Sequence, residues 1–238
     1  MKRFLFLLFS MMIVEAAAQT SSFPMIDSIG KDVAGFIPAG WFVEHSAFGD
    51  LNNDNLEDMV LVIEPKDSMT EFRYNCETKK RDDERKGLPR ILFILFEGKD
   101  GNYHLVLRNN DFILRADEGG MKGDPFYGHP ITIRKNVLSF GFSGGSRELW
   151  SVEYKFRFRE ADWYLIGAEY NVVDNLEDSS EEHSYNFLTG KVKVTSGKNI
   201  FGKEKWSTEW KVLPETPLKT IGLLVMPFCW EIEPGIFL

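Results

Sequence analysis

Between Trp150 and Phe158 every second residue is apolar. Trp150, Val152, Tyr154, Phe156 and Phe158 fall on one face, and Glu153, Lys155, Arg157 and Arg159 on the other. A period of two belongs to a strand with one face on a core and one in water. The turn Arg159-Glu160-Ala161-Asp162 follows, and Tyr164, Ile166, Ala168 and Tyr170 then alternate on a return strand. Such a pair is an antiparallel hairpin. Ile131 to Arg134 and Val137 to Phe142 form another, joined by Lys135-Asn136, where Asn accepts a positive φ. The same period continues through Val192 and Val194, then Trp206, Thr208, Trp210 and Val212.

Met59 to Ile63 and Ile91 to Phe96 are apolar without interruption, as strands buried on both faces are. Helical periodicity is confined to Met25 to Ile37, where Ile29, Val33, Phe36 and Ile37 would line one face ahead of Pro38. With no helix recurring between strands, a βαβ architecture is excluded. The expectation is an all-β chain: an antiparallel β-sandwich or partial propeller-like sheet with a short N-terminal helix. Two stretches read as mobile surface loops, the charged 66–89 and the acidic, Ser-rich 174–184.

Lys2 and Arg3, an apolar run from Phe4 to Val14 and the small residues Ala16-Ala17-Ala18 have the layout of a signal peptide over 1–18. That run is shorter than the ~20 residues that span a bilayer. The expected mature chain, 19–238, is then a single β-rich domain ending in a C-terminal segment over 214–238. It has no transmembrane span and is exported to the periplasm or beyond the cell. Losing Lys2, Arg3 and Glu15 takes the formal charge from −8 to −9, which excludes a nucleic-acid partner on electrostatic grounds. An oxidising compartment permits a bridge between Cys76 and Cys229, and two unpaired thiols are the equal alternative.

The chemistry with the most specific spacing is the acidic turn Gly49-Asp50-Leu51-Asn52-Asn53-Asp54-Asn55-Leu56-Glu57-Asp58, which runs straight into the apolar strand. Asp50, Asn52 and Asp54 stand at alternate positions, Leu56 would offer its carbonyl, and Asp58 would close the shell around Ca²⁺. Asn55 occupies the sixth position, which requires a left-handed backbone, and Leu61 stands where an EF-hand needs Glu. An EF-hand is therefore excluded. The turn resembles the calcium loops of FG-GAP or VCBS-type repeats of the integrin-α-like propeller family, with Asn55 in place of their Gly. That resemblance implies a structural Ca²⁺ joining two strands.

A broader likeness, to exported proteins common in Bacteroidetes, is carried by Phe36-Ile37-Pro38-Ala39-Gly40-Trp41 and Arg90-Ile91-Leu92-Phe93-Ile94. Gly119-Gly120 through Gly123-Asp124-Pro125-Phe126, Gly144-Gly145-Ser146 and Asp162-Trp163-Tyr164-Leu165-Ile166-Gly167 add to it. It implies export and fold but no activity.

Other constellations favour bland readings. His45, His104, His129 and His183 lack ligand spacing, and the two cysteines lack a zinc arrangement. Ser143-Gly144-Gly145-Ser146 is a tight turn rather than a nucleophile elbow, and Gly119 to Gly123 is a bend rather than a phosphate loop. Paired carboxylates are too common among 36 acidic residues to diagnose a glycosidase. Trp206 and Trp210 are the best candidates for an exposed aromatic pair. The functional expectation is a non-enzymatic β-domain that binds an envelope or extracellular ligand, protein or glycan. The competing expectation is a secreted hydrolase of carbohydrate or peptide, and a lipid-facing barrel comes third.

Overall fold

The computed structural model describes residues 23–200, 203–224 and 226–238. The expected signal peptide at 1–18 lies outside the described residues. The chain runs through β1 (Ile29–Gly30), β2 (Trp41–Gly49), β3 (Asp58–Pro65), β4 (Met69–Asn75), β5 (Lys80–Gly87), β6 (Ile91–Glu97) and β7 (Tyr103–Asn109). It continues with β8 (Thr132–Arg134), β9 (Val137–Gly145), β10 (Glu148–Arg159), β11 (Asp162–Asp174), β12 (Ser179–Asn186), β13 (Lys191–Ile200) and β14 (Lys203–Val212). A single-turn helix, α1 (Ile221–Leu224), precedes the closing hairpin of β15 (Glu231–Glu233) and β16 (Ile236–Phe237).

A five-stranded sheet, in the order β1-β7-β6-β3-β2, faces a seven-stranded meander in the order β14-β13-β12-β11-β10-β9-β8. Every pairing is antiparallel. The fold is an all-β sandwich, as the alternation at Trp150 to Phe158 requires. Val60, Val62, Leu92 and Ile94 from the smaller sheet share one core with Phe140, Phe142, Tyr154 and Phe156 from the larger. The other face of β3 and β6 carries Met59, Leu61, Ile63, Ile91, Phe93 and Leu95, packed under the N-terminal segment. Both faces of these strands are thus dry, which accounts for their unbroken apolar sequence.

The two-residue turns take the paired positive angles that suit a tight hairpin: Lys135 and Asn136 have φ of 50° and 58°, as the Asn predicts, and Glu160 and Ala161 have 53° and 62°, although neither residue type favours left-handed backbone.

Three expectations are corrected. Over 25–37 the only helical element is the 3-10 turn Val33–Phe36, capped by the Asp32 carboxylate. Ile29–Gly30 pairs with β7 instead, and Gly30 lies where a Cβ would meet the Phe36 ring at 2.8 Å. The apolar residues cover the sheet without needing a helix. The charged stretch 66–89 is not a loop but the hairpin β4–β5. Its strands hide because charged residues take the buried positions: Glu71 is buried against Arg115 at 2.7 Å and Arg73 against Glu118 at 2.6 Å. The acidic stretch 174–184 is mostly strand as well, since β11 ends at Asp174 and β12 begins at Ser179.

Cys76 and Cys229 form a disulfide across 153 residues, with Cα atoms 5.3 Å apart. It ties the end of β4 to the segment before β15. Closing so long a loop in the unfolded chain predicts that the double variant C76S/C229S loses about 2–4 kcal/mol of stability. The check is a comparison of urea midpoints; an unchanged midpoint would show that the bridge constrains nothing.

Candidate functional site

The acidic turn connects β2 to β3, and its side chains hold its own backbone. Asp50 Oδ1 accepts from the N–H groups of Asn53 at 2.6 Å and Asp54 at 3.3 Å, and Oδ2 accepts from Asn55 at 3.0 Å. Asn52 Oδ1 accepts from the Asp54 N–H, and Asp54 Oδ1 accepts from the Leu56 N–H at 2.8 Å. Asn53 and Asn55 both adopt left-handed φ, 67° and 66°, which Asn tolerates better than other residues with a side chain. The sixth position is therefore left-handed, as its place in the turn predicts. Asn136 Nδ2 donates to the Asp50 carbonyl at 3.0 Å, docking the turn on the β8–β9 hairpin.

Asp58 is fully buried. Its Oδ2 accepts from Leu51 N at 2.7 Å and its Oδ1 from Glu97 N at 3.1 Å. Desolvation pushes its carboxyl up to about 6; the hydrogen bonds from Leu51 and Glu97 oppose the rise, and the nearby Asp54 charge adds to it. Among the described residues no Lys or Arg pairs with Asp50, Asp54 or Asp58. Uncompensated carboxylates and hard oxygens fit a divalent cation in charge and donor type. The carboxylates are, however, turned onto backbone N–H groups, and no group of three His, Cys, Asp or Glu side chains stands ready to hold a metal among the described residues.

The second feature is the outward face of the seven-stranded sheet. Its register lays Trp206 beside Gly197, Thr208 beside Thr195, Trp210 beside Lys193 and Val212 beside Lys191. The core residues Val192, Val194 and Tyr185 point the other way. Trp206 is 55% exposed and Trp210 67%, on the edge strand β14. The aromatic pair read from the sequence is therefore at the surface. Beside Trp210, Ser184, Asn186 and Lys191 line an open groove of about 630 Å³.

The inward face holds polar chemistry that the sequence does not reveal. His183 is buried, with Nε2 2.6 Å from Glu181 Oε1 and Nδ1 3.2 Å from Glu233 Oε1. The Tyr185 hydroxyl donates to the same Glu233 oxygen at 2.7 Å. Beside this cluster an open cleft of about 630 Å³ is lined by Glu148, Tyr170, Glu181, Ser196, Lys198 and Lys205 among others. Burial, then the charges of Glu148 and Glu181, push the Tyr170 phenol up. Glu181 and Tyr185 lie two residues from His183 in sequence, but Glu233 arrives from 50 residues away, so no local pattern could have found the whole cluster.

The remaining histidines take ordinary partners. His45 packs edge-on against Phe126 with centroids 4.5 Å apart, His104 meets Asp100 at 3.2 Å, and His129 meets Ser143 Oγ at 2.9 Å. Comparison with protein-family models, with curated proteins and with solved structures finds no match to this chain.

Proposed function

We propose that this is an exported, non-enzymatic binding module whose outward sheet face engages an envelope or extracellular ligand, protein or glycan. The observation that carries this reading is the pair of exposed indoles, Trp206 and Trp210, on one face of an edge strand. Tryptophan is enriched at interfaces because a large apolar body carries a polar N–H, and neighbouring exposed aromatics on one sheet face mark an interaction surface. A hydrolase would place its acids in the inward cleft. Glu148 and Glu181 there lie on the opposite side of the sheet from both tryptophans, and on the tryptophan face Glu169 and Glu153 are already paired with Lys155 at 2.7 and 3.3 Å. The expected result is that mature protein sediments with isolated cell envelopes and that W206A/W210A does so at least tenfold less. Equal sedimentation of both proteins would end the proposal.

We also assign a structural Ca²⁺ to the acidic turn, with Asp50, Asn52, Asp54, the Leu56 carbonyl and Asp58 as its donors. Support comes from the cluster of carboxylates with no Lys or Arg partner among the described residues and from the left-handed Asn55. Extracellular modules bind Ca²⁺ with Kd near 10⁻⁴–10⁻³ M, so 10 mM Ca²⁺ is expected to stabilise the parent by about 1–3 kcal/mol. Asp50→Ala and Asp54→Ala should show neither binding heat nor that rise in Tm. Identical Ca²⁺ responses in all three proteins would remove the assignment.

A further inference from the structure

We infer that the ligand of the outward face is an extended, uncharged polysaccharide; this rests on the binding reading above and narrows it. Three observations converge on that chemistry. The first is the pose of Trp206. A Cβ built on Gly197 would lie 2.6, 2.7 and 2.8 Å from its Cζ3, Cε3 and Cη2 atoms. Near-equal distances to three atoms of one six-membered ring place that point over the ring face, not off its edge. The indole therefore lies flat on the strand, using the missing side chain of Gly197, and remains 55% exposed. A flat, preoriented π-face suits the C–H face of a sugar ring, as it suits any flat ring with little to lose in ordering.

The second observation is the polar track beside it. Thr208, Thr195, Glu182, Asn171, Ser151 and Ser143 are successive cross-strand partners from β14 to β9. Five inter-strand steps make this track about 24 Å long. It consists of hydroxyl, amide and carboxylate groups, which donate to and accept from sugar hydroxyls. Trp206 and Trp210 flank its β14 end, separated by about 13–14 Å along the strand.

The third observation is charge. In the four cross-strand rows headed by Trp206, Thr208, Trp210 and Val212, the charged residues from β13 to β9 are Lys191, Lys193 and Lys155 against Glu182, Glu169 and Glu153. Lys155 is already bound to Glu169 at 2.7 Å and to Glu153 at 3.3 Å. The face is balanced although the chain carries −8, so it selects neither an anionic nor a cationic ligand. A protein partner buried here would have to desolvate these charges, whereas a hydrated sugar chain lies along them.

The test uses the mature protein in affinity electrophoresis through gels containing hydroxyethylcellulose, xyloglucan or galactomannan, with polygalacturonate as the anionic comparator. A parallel arm measures sedimentation with envelopes before and after periodate oxidation of their sugar diols, or protease treatment. Retardation by an uncharged polymer, weakened at least tenfold in Trp206→Ala and in Gly197→Ala, is the expected result. Gly197→Ala keeps both indoles but lifts the Trp206 ring, so its loss reports the flat pose. Unchanged unfolding midpoints in both variants separate lost binding from lost fold. Tighter binding to polygalacturonate, or Trp-dependent envelope binding that survives periodate and falls to protease, overturns the polysaccharide while leaving the binding module standing. Absence of any Trp-dependent envelope binding removes both.

Discussion

Replacing Phe112 with alanine is expected to cost about 3–5 kcal/mol, the range for emptying an aromatic site in a rigid core. Phe112 belongs to no strand. It follows β7, where Asn109 Oδ1 accepts from the N–H groups of both Asp111 and Phe112 at 2.8 Å and turns the chain inward. Its fully buried ring then stands at the centre of an aromatic cluster: Phe140, Tyr154 and Phe156 at centroid distances of 5.2, 5.5 and 5.4 Å, all near perpendicular. These partners come from β9 and β10, so the side chain wedges the connection after β7 into the facing sheet. Edge-to-face pairs contribute beyond area, and no neighbour can close the gap without breaking its own contacts. The measurement is the urea midpoint at unchanged m-value. Tyr127→Ala, at a residue 81% exposed, should stay within about 0.5 kcal/mol. A Phe112→Ala cost no larger than that control would mean the sandwich is not wedged there.

What the sequence disclosed follows from how far each signal reaches. Met59 to Ile63 and Ile91 to Phe96 announced buried strands because burial on two faces leaves an unbroken apolar run. Lys135-Asn136 announced a turn because left-handed backbone selects its residues locally. Trp206 and Trp210 could be placed on one face from the period alone, and their exposure follows from β14 being an edge. Failure came where polar residues take buried roles. Glu71 and Arg73 read as loop because their partners, Arg115 and Glu118, lie more than 40 residues away. The apolar residues at 25–37 mimicked helix spacing, yet they serve an extended cover over β3 and β6. In the acidic turn the composition gave the bend and the left-handed Asn55, while the direction of each carboxylate was not legible, because backbone N–H groups compete with a cation for the same oxygens.

The longest-range of these hidden features predicts the other large effect. Arg90 is buried at the start of β6 and faces Glu44, Glu64 and Asp124. Its guanidinium donates to both Asp124 oxygens, to Glu44 Oε1 and, at 2.7 Å, to the Leu114 carbonyl. Nε faces Glu64 Oε2 at 3.2 Å as an ion pair without hydrogen-bond alignment. One cation thus holds three carboxylates together. Burial, then the Glu44 charge, pushes the Glu64 carboxyl above its ordinary value of 4.5. Burial presses upward on Asp124 most strongly, but the hydrogen bonds from Arg90, the Phe126 N–H and the Arg90 charge together outweigh it and hold the carboxyl below 3.8.

The signs are opposite. Glu64 contributes stability that is full below 4.5 and fades as pH rises through its raised value. Asp124 contributes stability present above 3.8 and lost as pH falls through its depressed value. Arg90→Met removes the cation that depresses Asp124 and leaves all three acids to repel one another. The expected cost at pH 7 is about 3–5 kcal/mol, the usual result of stripping one partner from a buried ion pair. Near pH 4 the acids accept protons and the gap between parent and variant should shrink markedly. Urea titrations at pH 4, 5.5 and 7 measure that gap. A deficit of the same size at all three values would mean that lost packing of the Arg90 stem, not uncovered charge, sets the cost.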